Sequence, residues 1–218
     1  MNAYEIHKKI NELRLVISDG QKESVSREIS QTLMLLIRTN ESLNLSEKEM
    51  LYNELRKAVR PLARLDYGNG NSVFEINTLL GELCLAASFY LLADEKHLRL
   101  FEAEEDTFVS LNKRSFENCF FSIISALFKT NDEILVEIRS ESKYCSVVIS
   151  ADNFDACLLK KPPENSLIIY ENWGNAIALK LKPNSKKECE YGYESEYEDF
   201  SLLLADSFSP LQIWLCDI

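Results

Sequence analysis

The sequence predicts an α+β protein in which an N-terminal helical hairpin precedes an α/β sandwich. Apolar residues in the first third recur at helical spacing, whereas the remainder mixes helical stripes with short alternating segments. A turn-forming run, Tyr-Gly-Asn-Gly-Asn-Ser, separates the two parts at residues 67–72. We therefore expect a helical domain over residues 1–67 and a second domain over residues 73–218.

The helical part is predicted to contain three helices. Apolar spacing predicts the first over residues 3–17 and the second over residues 22–39. The third helix, over residues 46–66, starts at a capping-box pattern and contains Pro61, which predicts a kink or an early end.

Assembly is predicted from the width of the apolar stripes on the second and third helices. These stripes are wider than one hairpin can cover, and two hairpins can bury them together in a four-helix bundle. We therefore expect a homodimer through the hairpin, with Leu33 and Leu55 in its core.

The second part is predicted to be a helix–strand mixture with a sheet of antiparallel pairs. We expect helices over residues 74–90, 113–128 and 165–182, and strands over residues 97–101, 107–111, 134–140, 144–150, 190–205 and 211–216.

Composition limits the classes of function. Of the 218 residues, 46% are hydrophobic, which is enough for a sizeable core, and the net charge of -11 disfavours nucleic acid and anionic membranes as partners. The charged N-terminus lacks a signal-peptide pattern and no long apolar run follows, so we expect a cytoplasmic protein that does not contact a membrane. The six cysteines form no CxxC pair, which favours buried reduced thiols over a metal site.

A short run on the second helix resembles the H-box of sensor histidine kinases. Ser-Arg-Glu-Ile-Ser-Gln-Thr-Leu, which contains Arg27, is similar to the Ser-His-Glu-Leu-Arg-Thr-Pro-Leu of that family. Arg27 stands where the phosphoacceptor histidine would be, and a permanently protonated guanidinium is a poor nucleophile. The resemblance implies that Arg27, Ser30 and Gln31 belong to a surface on which a partner docks.

The order of elements also resembles that family, in which a dimerisation hairpin precedes a Bergerat-type ATPase domain. The helical run that contains Ala126 is similar to the N-box, with alanine in place of the asparagine that holds Mg²⁺. Asp152 matches the adenine-reading carboxylate of an Asp-x-Gly-x-Gly motif whose glycines are replaced by Phe154 and Ala156, and Gly174 matches a second glycine box. The resemblance implies a vestigial nucleotide site, and we expect no cofactor.

The first helix resembles a second family. The run Ile-His-Lys-Lys-Ile-Asn-Glu-Leu, which contains His7, is similar to the His-x-x-Leu-Asn-x-Leu around the phosphoacceptor of sporulation-type histidine phosphotransferases.

Two functions are favoured by these patterns, and a third, a catalytic ATPase with a diverged site that uses Asp152, ranks below both. The first is a pseudo-histidine kinase that acts by docking a response-regulator receiver domain or an active histidine kinase. The alternative is an ATP-independent phosphotransferase that uses His7. The sequence leaves open whether His7 or Arg27 occupies the phosphoacceptor position.

Overall fold

The computed structural model describes residues 3–18, 22–39, 43–63, 71–141, 143–154, 168–184 and 200–218. It confirms the predicted α+β class, with helices first and a mixed sheet after them. The helices are α1 (Ala3–Ser18), α2 (Lys22–Thr39), α3 (Leu45–Ala63), α4 (Ile76–Tyr90), α5 (Lys113–Phe128), α6 (Phe200–Ala205) and α7 (Pro210–Leu215). The strands are β1 (Ser72–Glu75), β2 (His97–Phe101), β3 (Phe108–Leu111), β4 (Glu133–Ser140), β5 (Cys145–Ser150), β6 (Ile168–Asn172) and β7 (Ala176–Leu181).

The first helix packs against both α2 and α3. Its apolar stripe, Ile6, Ile10 and Leu13, is fully buried. The third helix continues through Pro61 to Ala63 instead of ending early. Pro61 lacks the backbone N–H that would donate to the carbonyl of Lys57, one turn earlier in the helix. None of the described helices is both long and apolar enough to cross a bilayer.

The main sheet has five strands in the order β2-β4-β5-β7-β6, and β1 and β3 form a separate two-stranded ladder. The pair β2–β4 is parallel, and the other three pairs are antiparallel. Burial alternates along β4, with Ile134, Val136 and Ile138 in the core, as the predicted period of two requires. Helix α5 carries four of the largest fully buried side chains: Phe116, Phe120, Phe121 and Phe128.

Three secondary-structure predictions are wrong. Residues 165–182, predicted as a helix, contain the hairpin of β6 and β7. Residues 211–216, predicted as a strand, lie in and just after α7, which starts with Ser209 as N-cap and Pro210 in its first turn. Of the predicted strand 190–205, residues 200–205 form α6 and the rest lie outside the described residues. In addition, β1 precedes α4 where one continuous helix was predicted.

The helical part and the sheet part are joined mainly by contacts of α3 with α7, and α7 packs in turn on α5. Arg60 of α3 donates to the backbone carbonyls of Ile213 and Trp214, and it binds the Asp217 carboxylate at 2.6 Å. Its guanidinium also lies 5.6 Å from the centre of the Trp214 ring. These contacts cap the C-terminal end of α7 and fix α3 against it.

Candidate functional site

His7 lies on α1 with its imidazole partly open to solvent. The side chain keeps 46% of its surface exposed, and Nδ1 lies 2.7 Å from Oε2 of Glu54 on α3. The backbone on both sides of the pair is anchored, because Ile6 of α1 and Leu51 and Leu55 of α3 are fully buried. Among the described residues, none hydrogen-bonds Nε2. Oε2 of Glu54 is buried without a hydrogen-bond partner, so its close contact with Nδ1 lacks hydrogen-bond geometry.

A surface groove of about 230 Å³ runs along α1 beside the ring. Exposed Tyr4 and Leu15 line it together with His7 and Asn11. The lysines nearby are already paired with carboxylates of the helical part: Lys8 and Lys9 with Glu12, and Lys9 also with Glu28. The imidazole of His7 is therefore open to this groove, which Lys8 and Glu12 also line.

The predicted docking residues lie on α2. Arg27 and Ser30 are exposed, and Gln31 is half-buried. Glu28, next to Arg27, points to α1 and contacts Lys9 at 3.4 Å. Arg27 and His7 therefore lie on different helices of the helical part. The exposure of Arg27 and Ser30 is compatible with docking, which stays a prediction.

On the sheet side, the loop that follows β5 is bound to the end of α5. The buried side chain of Asn131 accepts from the backbone N–H of Asn153 at 2.7 Å and donates to its carbonyl at 3.0 Å. It also donates to the carbonyl of Leu127, near the end of α5, at 2.8 Å. Phe154 packs against the core from the same loop. This arrangement places a large apolar side chain where the resemblance expected a glycine.

Asp152 and Gly174 lie at the same end of neighbouring strands. Because Ser150 of β5 pairs with Ala176 of β7, the two residues that extend these strands face the same edge of the sheet. Asp152 is exposed. Gly174 lies in the β6–β7 turn with a positive φ of 86°, and its N–H donates to Asn172 Oδ1. Gly174 was expected inside a helix over residues 165–182, and it lies in the turn between β6 and β7 instead.

Three of the described cysteines, Cys84, Cys119 and Cys145, are buried free thiols, and Cys216 is partly exposed. Burial raises the pKa of Cys84 and of Cys119 to about 12, so both stay protonated at neutral pH. Within the described ranges, no group of three or more His, Cys, Asp or Glu side chains is arranged to hold a metal ion.

Two contributors to these sites were not predicted. Glu54 reaches His7 from another helix, and Asn131 binds a loop that is distant in sequence. Neither has a local sequence signal, because each makes its contact only after the helices and the sheet have packed.

Known proteins resemble this chain in fold. No protein-family model and no curated protein matches it. Among solved structures, the nucleotide-free catalytic domain of histidine kinase ThkA matches with a TM-score of 0.41 and 12% identity, over 51% of this chain and 95% of that chain. ThkA in complex with the response regulator protein TrrA matches with a TM-score of 0.47 and 17% identity, over 85% of this chain and 67% of that chain. The Acinetobacter baumannii histidine kinase AdeS matches with a TM-score of 0.42 and 14% identity, over 85% of this chain and 100% of that chain.

These neighbours are histidine kinases, as the sequence resemblance predicts. Their TM-scores lie below 0.5 and their identities below 25%, so the function of this chain has to be argued from its own residues.

Proposed function

We propose that this chain is a two-component signalling protein that exchanges a phosphoryl group at His7 and does not phosphorylate itself from ATP. The observation that carries the proposal is the half-exposed imidazole of His7, which is held from one side by α3 and opens on the other side to a surface groove. A nucleophilic histidine needs this combination of a fixed ring and a free nitrogen.

The donor that fits is the aspartyl phosphate of a response-regulator receiver domain. A ring nitrogen of His7 attacks phosphorus, the P–O bond to the aspartate breaks, and the aspartate leaves as a carboxylate. The reverse reaction passes the phosphoryl group to a second receiver. The N–P bond and the acyl phosphate are both reactive, so the exchange needs no ATP.

The sheet side supports the absence of ATP chemistry. Ala126 offers no ligand atom for Mg²⁺. Phe154 packs on the core at the loop that Asn131 binds to α5, which leaves less room for phosphates near Asp152 and Gly174. These features favour a degenerate nucleotide site.

The test is phosphoryl transfer from receiver domains of the source organism, each first phosphorylated with acetyl phosphate. The wild-type chain should gain an acid-labile, alkali-stable phosphoryl group, and His7→Ala should gain none. The matched control is His97→Ala, which removes the other histidine of the chain from an exposed position on β2. Equal labelling of wild type and His7→Ala would contradict the proposal, as would loss of labelling in His97→Ala.

A second candidate is an adaptor that binds a receiver domain or a histidine kinase without chemistry. The exposure of Arg27 and Ser30 on α2 favours it, because an arginine can grip acidic side chains of a partner in a two-pronged pair. Stable capture of a receiver by the wild-type chain, with no phosphoryl group on His7 at any time, would favour the adaptor over the transfer protein.

We further propose a homodimer through α2. Leu55 is already fully buried within one chain, but Leu33 is half-buried, and Met34 and Ile37 keep 58% and 69% of their surface exposed. A second copy would cover these side chains in an isologous contact. Light scattering at about 50 μM should give a dimer mass that falls to the monomer in the Met34→Glu, Ile37→Glu double variant. A wild-type monomer at that concentration would refute this assembly.

A further inference from the structure

We infer that the pocket between the helical part and the sheet part binds a small acyl carboxylate, that is, an apolar chain with one negatively charged end. The pocket has a volume of about 270 Å³. Its walls come from α2 and α3 on one side, and from α5, α7 and the segment just before α7 on the other. This pocket is separate from the groove beside His7, so its ligand is independent of the phosphoryl transfer proposed there.

The walls of the pocket are mainly apolar. Val59, Ala63 and Ile213 are buried, whereas Leu33 and Phe208 are only partly buried, which leaves apolar surface within reach of a ligand from solvent. Water between these side chains would find few hydrogen-bond partners, and an apolar group that replaces it is stabilised by leaving water. Since a dry cavity of about 150 Å³ takes up benzene, a pocket of this size fits a chain of about eight to ten carbon atoms.

A cation lies beside these apolar walls. Arg114 of α5 lines the pocket and is exposed. Among the described residues, its hydrogen-bond acceptor is the carbonyl of Phe208, at 2.9 Å from Nη2, and none of their carboxylates forms an ion pair with it. A guanidinium has five N–H donors, so most of them remain for a ligand. A carboxylate is the group that such donors bind in a two-pronged pair.

The segment that carries Phe208 is fixed, so the pocket is formed without a ligand. Arg56 of α3 donates from Nε to the carbonyl of Ser207 at 2.8 Å, and Arg114 donates to the next carbonyl. The centre of the Phe208 ring also lies 6.3 Å from that of the Tyr52 ring. A pocket held in this way needs little reorganisation when a ligand binds.

The apolar walls and the cation together define the ligand. A neutral apolar molecule would leave the charge of Arg114 without a partner, and a small inorganic anion would leave the apolar walls in contact with water. An acyl carboxylate satisfies both, with its chain between α3 and α7 and its carboxylate at Arg114.

The test is calorimetric titration with octanoate and with octan-1-ol, a neutral compound of the same chain length. Wild type is compared with Arg114→Gln, in which glutamine loses the charge but keeps an N–H donor for the Phe208 carbonyl. The matched control is Arg38→Gln, which removes the same charge from an exposed position near the end of α2. A further form, Ala63→Leu, places a larger side chain on the pocket wall. Thermal melting checks that all forms fold.

Wild type and Arg38→Gln should bind octanoate with a dissociation constant below about 1 mM. Arg114→Gln should bind octanoate about tenfold more weakly, the scale of one hydrogen bond to a charged group, and should bind octan-1-ol as wild type does. Ala63→Leu should weaken the binding of both compounds. Methyl NMR spectra with octanoate should show shifts at Ile213 and none at Ile177 in the core of the sheet.

Four results would overturn the inference. They are a wild-type dissociation constant for octanoate above that limit, equal octanoate affinities of the two arginine variants, unchanged binding by a folded Ala63→Leu variant, and methyl shifts that leave out Ile213. The arginine comparison does not depend on Ala63→Leu, because Arg114 and Arg38 are both exposed and their substitution should leave the fold intact.

Discussion

Replacing Arg60 with alanine should release the C-terminal segment from the helical part. Arg60 is the residue of α3 that binds the end of α7, through two backbone carbonyls and both oxygens of Asp217. Only 18% of the Arg60 side chain and 21% of the Asp217 side chain are exposed. The substitution therefore leaves a largely buried carboxylate without its main cation.

The magnitude follows from what is lost. Breaking a buried ion pair by removing one partner costs roughly 3–5 kcal/mol, and partial exposure lowers that cost because water reaches the remaining groups. The two carbonyls at the end of α7 can also be rehydrated, and the ring of Trp214 loses a cation at 5.6 Å. We expect a loss of about 2–4 kcal/mol in the free energy of unfolding.

Urea unfolding followed by circular dichroism measures this loss, with Lys57→Ala as the matched control. Lys57 lies 3.9 Å from the same carboxylate but keeps 43% of its side chain exposed, so its removal should cost at most about 1 kcal/mol. A loss for Arg60→Ala no larger than that for Lys57→Ala would refute the reasoning. It would mean that α7 is held by its apolar packing on α5 and that the arginine contacts add little.

Three further predictions can be checked separately. Calorimetric titration with Mg-ATP should give no dissociation constant below about 1 mM, because Ala126 cannot hold the metal and Phe154 packs on the core. A lower dissociation constant would contradict this prediction. Burial raises the pKa of Asp217, but the hydrogen bonds and charge of Arg60 outweigh burial and lower this pKa below its ordinary 3.8. The Asp217 carboxylate therefore contributes its full stabilisation of the folded state at pH values above 3.8. This stabilisation is lost as the pH falls below 3.8, because the unfolded chain then binds the proton first. The difference in the free energy of unfolding between wild type and Asp217→Asn should accordingly shrink in acid. Arg27→Glu should change the free energy of unfolding by less than ~1 kcal/mol yet weaken the capture of a receiver domain. The control is Arg38→Glu, at an exposed arginine on the same helix, which should leave capture unchanged. Equal losses of capture in the two variants would exclude a specific role for Arg27.

Elements with a clean local pattern could be predicted from the sequence. Helix α5 combines an N-cap, Asn112, with an apolar stripe, and β4 alternates between buried and more exposed residues from Glu133 to Ile138. Helix α5 is long enough for its periodicity to be read, and on β4 one face is buried while the other is more exposed. Local preference and tertiary packing then agree.

The β6–β7 hairpin was missed because β7 is buried on both faces. Ile177 and Leu179 point to the core, while Ala176 and Ala178 are buried with Val148 on the other face of the sheet. A strand buried on both sides shows a continuous apolar run, which cannot be distinguished from a helix by periodicity. Its alanines and leucines also have high helix propensity.

Helix α7 was missed for a similar reason. Alternating Leu211, Ile213 and Leu215 suggest a strand, but Trp214 between them is also buried. A six-residue helix between α3 and α5 is covered on most of its surface, so it shows no polar face. Its N-terminal signals, Ser209 and Pro210, were the better guide.

Helix α3 connects these observations to function. Glu54 faces His7, and Arg60, fewer than two turns further along the helix, binds α7 and Asp217. The sheet part therefore has a role that requires no nucleotide, because it anchors the helix that carries the carboxylate partner of the imidazole. Loss of a functional ATP site would leave this anchoring intact, since Arg60 makes its contacts at the C-terminal end of α7 and not at the strand ends near Asp152 and Gly174. We expect the position of Glu54 beside His7 to depend on the contacts that Arg60 makes with α7 and Asp217.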